Sequence, residues 1–295
     1  MRRFLNKSPW WAIIYTVLLA GFAVFVLLDT FVIPKAIQTV RDSATETTAG
    51  GVYTSNSYED ENISITIMTE RVDETQVYIA DIQLQSVDYL KTAFAQNTYG
   101  RNIKQTTSAI AEAHDAILGI NGDYYGFRND GFVIRNGILY RSTSRSVDDD
   151  EALVIYENGS FEVVSESATS ADALLEQGAV QVFSFGPSLL RNGEITVSKN
   201  SEVEMAKTSN PRTAIGIISP LHYIMIVSDG RTDASAGLTL YQLAAIFKEL
   251  GCETAYNLDG GGSSTMWFNG EIVNVPTDGS TLGERKVSDI VYIGY

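Results

Sequence analysis

The stretch 223–262, YIMIVSDGRTDASAGLTLYQLAAIFKELGCETAYNLDGGG, carries the pattern from which the fold is read. An apolar run, YIMIV, ends at Asp229-Gly230-Arg231, a helix follows, and a second short run ends at Asp259 and three glycines. In TLYQLAAIFKEL, Thr239 and Gln242 form a capping-box pair. Leu240, Leu243, Ala244, Phe247 and Leu250 make one apolar stripe, and Gly251 supplies the left-handed stop.

Outward from this unit, the alternating runs ISITIMT (63–69), QVYIADIQL (76–84), ALVIY (152–156) and VQVFSF (180–185) are mostly β-branched or aromatic and read as strands. Two shorter helices are expected over 106–116 (TTSAIAEAHDA) and 170–177 (SADALLEQ). Many strands with few helices predict an α+β class built on mixed, largely antiparallel sheets. The acidic run VDDDE at 147–151 reads as a solvated loop.

The N-terminus follows a different rule. From Trp10 to Leu28 there is no charge, a length that at ~1.5 Å per helical residue nearly crosses a ~30 Å hydrocarbon layer, so 10–33 is expected to be a transmembrane anchor. Arg2, Arg3 and Lys7 before it and Asp29 after it set residues 1–9 in the cytoplasm and the rest outside the cell membrane. A cleaved signal peptide is the alternative, but no small-x-small cleavage site precedes Pro34. Residues 34–62, rich in Thr, Ser, Gly and acids, read as a linker or stalk, with the folded ectodomain at 63–295.

The 295 residues, 44% hydrophobic, are enough to bury a large core. With 21 Lys+Arg against 36 Asp+Glu the net charge is −15, which opposes binding to a polyphosphate backbone and sets nucleic acid aside as a partner. An anionic substrate would need locally placed arginines to overcome that field. The single Cys252 excludes an internal disulfide, and two histidines exclude a three-histidine zinc site, so hydrolytic chemistry falls to carboxylates. His114, His222 and Cys252 are given no role.

Four segments rich in Gly, Asp, Asn and Arg sit where predicted strands end: INGDYYGFRNDG (120–131), NPRTAIG (210–216), IVSDGRTDASAGLT (226–239) and AYNLDGGGSSTMWFNG (255–270). The triple glycine with Ser263, Ser264 and Thr265 reads either as an anion-binding nest or as a tight turn. Its spacing matches neither a dinucleotide fingerprint nor a Walker loop. Asp229 and Arg231 project into a site or pair locally on a surface turn. Arg212 grips a phosphate or carboxylate as a fork or forms a structural salt bridge. Asn121 and Asp123, with Tyr124 and Tyr125, hydrogen-bond and stack against a sugar or close a loop.

Taken together, the order ING-D-YY, PRTAIG, DGR followed by GLTL and a helix, NLDGGGSST, and ERKVSD at 284–289 resembles the phosphodiester glycosidase family over roughly residues 110–295. The resemblance implies hydrolysis of a bond that joins the anomeric carbon of a sugar to a phosphodiester. Bacterial relatives add a link to exopolysaccharide or cell-envelope metabolism. Arg212, Asp229, Asp259, Gly260, Gly261, Gly262, Ser263 and Arg285 fall on family motif positions, while Asp123 and Arg231 fall where the family admits other residues. The expected catalytic set is Asp259 and Asp229 as an acid/base pair, with Asp123. The expected substrate-binding set is Arg212, Arg231, Arg285, Asn121, Asn257, Gly260, Gly261, Gly262, Ser263 and Ser264. Expected partners are a carbohydrate or sugar-phosphate substrate and, through the N-terminal helix, a membrane. No cofactor is expected, although the oxygen-rich loops leave room for calcium without EF-hand spacing. Two competing classes stand beside this one: a metal-dependent phosphodiesterase, and a non-catalytic module that binds or assembles envelope glycans.

Overall fold

The run YIMIV is continuously apolar because its strand, His222–Ser228, is buried on both faces. Tyr223, Met225 and Val227 pack into one hydrophobic cluster, and Ile224 and Ile226 into another. A computed structural model describes residues 10–40, 50–145, 150–200 and 209–295. Arg2, Arg3 and Lys7, the whole of the expected cytoplasmic segment, and positions 147–149 of the acidic run lie outside the described residues.

Among the described residues four α-helices, α1 (Trp10–Phe31), α2 (Thr107–Ala113), α3 (Ala171–Glu176) and α4 (Leu240–Glu249), accompany three larger antiparallel sheets and two two-stranded ones. The central sheet runs in the order Glu194–Ile195, Ser188–Arg191, Thr254–Asn257, Arg212–Ser219, His222–Ser228, Thr75–Leu84, Ile63–Val72, Ser57–Glu59, Val52–Tyr53. α4 covers one face of it through Leu240, Leu243, Ala244 and Phe247. Its capping box forms as the sequence predicts: Thr239 Oγ1 accepts from Gln242 N at 3.2 Å, and Gln242 Oε1 accepts from Thr239 N at 2.9 Å.

The opposite face packs against a sheet of Glu271–Ile272, Met266–Phe268, Leu118–Asn121, Asp289–Ile293 and Leu90–Phe94, with Ile120, Met266 and Val291 meeting Ile65, Ile82 and Met225 in one core. The remaining larger sheet, Ile138–Arg141, Val133–Arg135, Ala179–Phe183, Glu151–Tyr156 and Phe161–Ser165, supplies Leu153, Ile155 and Phe183 to the same core. The expected α+β architecture, its antiparallel sheets and its strands and helices are all present.

Two expectations change. Residues 34–62, expected as a stalk, carry strands Lys35–Thr39, Val52–Tyr53 and Ser57–Glu59, so the folded unit begins ahead of Ile63. Composition misleads here because edge strands pair through backbone groups, whatever their side chains. Tyr58 is fully buried, and Asp60 receives the Ile63 amide at 2.8 Å and the Tyr295 hydroxyl at 2.5 Å, which ties this segment to the C-terminal residue. In the acidic run, Asp150 is buried and accepts from the Ser167 amide at 2.7 Å, while Glu151 opens a strand and pairs with Arg191 at 2.6 Å. That end of the run is structural.

α1 has a mean hydropathy of 2.5 over its best window and buries none of it, so by length and composition it is able to cross a membrane. Among the described residues it is the only such helix.

Candidate active site

Antiparallel pairing brings the motif loops together. Arg212 is the register partner of Ser228, and Ala214 of Asn257, so the start of one strand and the ends of its two neighbours, with Asp229 and Asp259 just beyond, share one edge of the central sheet. Asn121 joins this edge to the second sheet. Its Nδ2 donates to the Asp259 carbonyl at 2.6 Å, and its Oδ1 accepts from Thr213 Oγ1 at 2.8 Å and from Thr265 N at 3.3 Å. Fully buried and fully used, Asn121 positions the loops and offers nothing to a ligand.

Each of the three glycines meets an arginine or the chain beside one. A Cβ on Gly260 would lie 2.9 Å from the Pro211 carbonyl oxygen and 3.9 Å from Arg212 Cδ. On Gly261 it would lie 2.7 Å from Arg231 Nη2, and on Gly262 2.7 Å from Arg285 Nη2 and from Asp278 Oδ1. Only Gly261 has a left-handed backbone, with φ +61°, so the other two are required by close approach instead. The anion-nest expectation is corrected. The amides of Gly261, Ser263 and Ser264 turn inward onto the carbonyls of Pro211, Gly260 and Gly261, forming a 3-10 turn. The cationic groups nearest these glycines are the guanidinium groups of Arg231 and Arg285.

Arg212 is buried, and its pKa falls to about 10, first through burial and then through the like charge of Arg231. Its Nε donates to the Leu238 carbonyl at 2.9 Å. Arg231 is exposed and is held by Asn210 Oδ1 at 3.1 Å. Arg285 is held over Gly262 by Asp278, at 2.7 Å from Nη2. Two cations crowd one another at this edge, an arrangement that an anion between them would relieve.

Asp259 is half-buried, and desolvation pushes its pKa up to about 6. The Ser263 hydroxyl, Arg285 and the Gly260 amide favour its ionised form, and Asp123 opposes it. Burial therefore leaves a carboxyl that titrates near neutrality, next to arginines. Because the folded chain holds this proton more tightly than an unfolded chain with a pKa of about 3.9, ionising Asp259 costs stability, and the cost grows as pH rises from ~4 to ~6. Asp259→Asn is expected to melt higher than the wild type at pH 7, with the gap closing by pH 4, as thermal denaturation at the two pH values would record.

The other two acids have different surroundings. Asp229 is buried, with its pKa raised by desolvation, and is already committed: it accepts from Val275 N at 2.8 Å, from Asn274 Nδ2 at 3.3 Å and from the Tyr78 hydroxyl at 3.2 Å. It braces the 274–278 segment, which carries Asp278. Asp123 accepts from Tyr125 N and Ser184 N at 3.0 Å each and lies 3.0 Å from Arg135 Nη2. These bonds make Asp123 a structural carboxylate. Asn257 and Ser264 are buried as well: Asn257 Nδ2 donates to the Gly186 carbonyl at 2.8 Å, and Ser264 Oγ lies inside with no hydrogen-bond partner among the described residues. Ser263, also buried, serves through its bond to Asp259. Tyr125 is packed against Phe94 and Tyr99, and Tyr124 is half-buried, stacked on Phe127 with ring centroids 4.7 Å apart.

Two residues absent from the expected set belong beneath the site. Arg135, 2% exposed, reaches Asp289 Oδ2 through Nε at 2.9 Å and bridges to Asp123. Burial opposes its charge, but the two aspartates more than offset that and hold its pKa above the usual value. Asp289 is fully buried: burial raises its pKa, Arg135 pulls it back, and the like charges of Asp123 and, less so, Asp259 add to the rise. The 284–289 motif contained Asp289. For Arg135 the only signal was a lone arginine in the apolar run FVIRNG. Among the described residues no three His, Cys, Asp or Glu side chains are grouped so as to hold a metal ion.

The family model described as phosphodiester glycosidase matches residues 114–294. The SPbeta prophage-derived uncharacterized protein YomE of Bacillus subtilis is 30% identical over 214 residues, covering 70% of this chain and 32% of that protein. N-acetylglucosamine-1-phosphodiester alpha-N-acetylglucosaminidase of Mus musculus is 32% identical over 111 residues, 34% of this chain and 21% of its own length. Its Homo sapiens counterpart is 26% identical over 194 residues, 59% and 36% respectively. The chain thus spans little more than a third, at most, of these curated relatives. Among solved structures, the zebrafish N-acetylglucosamine-1-phosphodiester alpha-N-acetylglucosaminidase catalytic domain auto-inhibited by pro-peptide superposes with a TM-score of 0.61 at 21% identity, covering 89% of each chain. A hypothetical protein from Synechocystis gives 0.54 at 14% identity, covering 79% of this chain and 62% of that one. At such identities the likeness is one of fold.

Proposed function

The chain belongs to the phosphodiester glycosidase family, and from that premise we propose that it is a membrane-anchored hydrolase that releases a sugar from a sugar-1-phosphodiester of the cell envelope or of exopolysaccharide. The observation that carries this is the convergence of Arg212, Arg231 and Arg285 on three successive glycines, beside a carboxyl whose pKa is about 6. A net charge of −15 repels anions at long range, so an arginine cluster at one sheet edge marks where an anion is meant to sit.

The chemistry follows from the leaving group. When the bond between the anomeric carbon and oxygen breaks, the phosphodiester departs as a phosphate monoester whose second pKa is about 6. A carboxylic acid with a pKa of about 6 is matched to protonate that oxygen as it leaves. The charge developing on phosphate is met by Arg231 and Arg285, with Arg212 behind them. Water attacks the anomeric carbon as the oxocarbenium-like transition state forms. Asp229, Asp123 and Asn121 act by holding the loops. α1, uncharged from Trp10 to Leu28 and with no buried residue, anchors the enzyme, with the catalytic unit outside the cell.

The test is a panel of soluble sugar-1-phosphodiesters incubated with the purified protein, with released sugar measured. Release of free sugar with retention of a phosphate monoester supports the proposal, and its absence across the panel counts against it. Arg231→Gln is expected to raise KM about tenfold or more with a smaller change in kcat, since one charge-assisted contact contributes ~1.5–3 kcal/mol. An unchanged KM would remove Arg231 from the phosphate site.

A further inference from the structure

One strand separates the anchor from the site. At the end of α1, Val32 and Ile33 donate to the Leu28 carbonyl at 2.9 and 2.8 Å, and Lys35 pairs with Asp29 at 2.6 Å. The carbonyls of Thr30 and Ile33 accept from Asn102 Nδ2 at 3.1 and 3.2 Å. The next strand, Lys35–Thr39, pairs antiparallel with Thr98–Arg101. The two are so close at Gly100 that a Cβ there would collide with the Lys35 carbonyl and stand 3.0 Å from Ala36 Cα.

Across Gly100 lies the 121–131 loop. A Cβ on Gly126 would stand 3.6 Å from the Gly100 carbonyl oxygen and would press into Ser288, the residue before Asp289. Asn102 N donates to the Gly126 carbonyl at 3.2 Å. Asn102 therefore holds the helix end with its side chain and the site loop with its backbone. Neighbouring strands lie ~4.8 Å apart, and the three residues from Gly126 back to Asp123 span at most ~11 Å. The floor of the site is thus fixed within roughly 20 Å of the end of α1, close above a headgroup layer of ~5–8 Å.

Resting on the proposed hydrolysis, we infer that the bilayer itself presents the substrate: a sugar-1-phosphodiester whose second ester is to a lipid alcohol. In the reaction the bond from the anomeric carbon to oxygen breaks, water supplies the new hydroxyl on the sugar, and its proton ends on phosphate. Free sugar departs and a lipid monophosphate stays in the membrane. A short, docked anchor gives little reach toward polymers far from the membrane but keeps the site floor within roughly 20 Å of the helix end, in reach of lipids in the same bilayer. Confinement of both partners to one surface raises their effective concentration and offsets the repulsion that a free anionic diester meets from a chain of net charge −15.

The test uses the full chain reconstituted in phosphatidylcholine vesicles with two substrates of the same sugar, one a long-chain lipid phosphodiester in those vesicles and one a water-soluble methyl phosphodiester. Wild type is compared with Asn102→Ala and with a chain carrying about 12 Gly/Ser residues inserted after Ile33, which adds ~20 Å of flexible reach. Wild type is expected to favour the lipid-linked diester. The insertion is expected to lower that rate about tenfold, and Asn102→Ala to lower it less, while cleavage of the soluble diester stays within about twofold and so reports an intact fold. Soluble cleavage with no preference for the lipid form, or a lipid-linked rate indifferent to the insertion, overturns this inference and leaves the proposed function standing. Cleavage of neither substrate by wild type overturns both.

Discussion

Asp259→Asn is expected to lower kcat by about a thousandfold with little change in KM, because loss of a positioned proton donor costs ~10²–10⁴ in rate while the arginines that hold phosphate remain. Asparagine keeps the volume and an acceptor oxygen for Ser263 but has no acidic proton to give. The pH profile carries the sign. If Asp259 acts in its protonated form, wild-type kcat is level below pH 6 and falls tenfold per unit above it, since the carboxyl ionises at about 6. In the variant that limb disappears. Measuring sugar release from a soluble sugar-1-phosphodiester between pH 4 and pH 8 would check both, and an acid limb instead, with activity rising through pH 6, would reassign Asp259 as a base.

Arg135→Met should be the most damaging single change to stability. Arg135 lies 2.9 Å from Asp289 and 3.0 Å from Asp123, and its guanidinium stacks 4.4 Å from the centre of the Phe183 ring. Removing it leaves two buried carboxylates without a cation, a loss of about 3–5 kcal/mol. Asp289, whose pKa burial already raises, loses the cation that pulled it back, so the folded variant binds that proton more tightly than the unfolded chain and the deficit shrinks as pH falls. Urea denaturation at pH 7 and pH 5 would measure it. Adding Asp123→Asn and Asp289→Asn should restore much of the loss at pH 7, because the change then removes a whole ionic cluster instead of half of one.

The central unit was legible because each of its signals is local. A capping box spans three residues, a doubly buried strand shows as an unbroken apolar run, and the helix stop at Gly251 is a single left-handed position with φ +80°. Arg212 and Arg231 were named from segments at predicted strand ends, and Arg285 only from the family resemblance of the 284–289 run. What escaped depends on partners distant in sequence. Arg135 and Asp289 meet across 154 positions, and nothing near Arg135 announces two acids. Asp229 and Asp123 were expected in the catalytic set from their places at strand ends, yet tertiary packing gives each carboxylate a set of donors distant in sequence. Polar composition disguised 34–62, because pairing at a sheet edge needs only N–H and C=O groups.

The central sheet ends on one side at Glu194–Ile195 and on the other at Val52–Tyr53, each only two residues long. Such stubs offer a neighbouring molecule too few unpaired backbone groups to extend the ladder. Were the proposed anchoring to confine the protein to two dimensions, where identical copies collide laterally, this blunting would counter fibrous self-association between them.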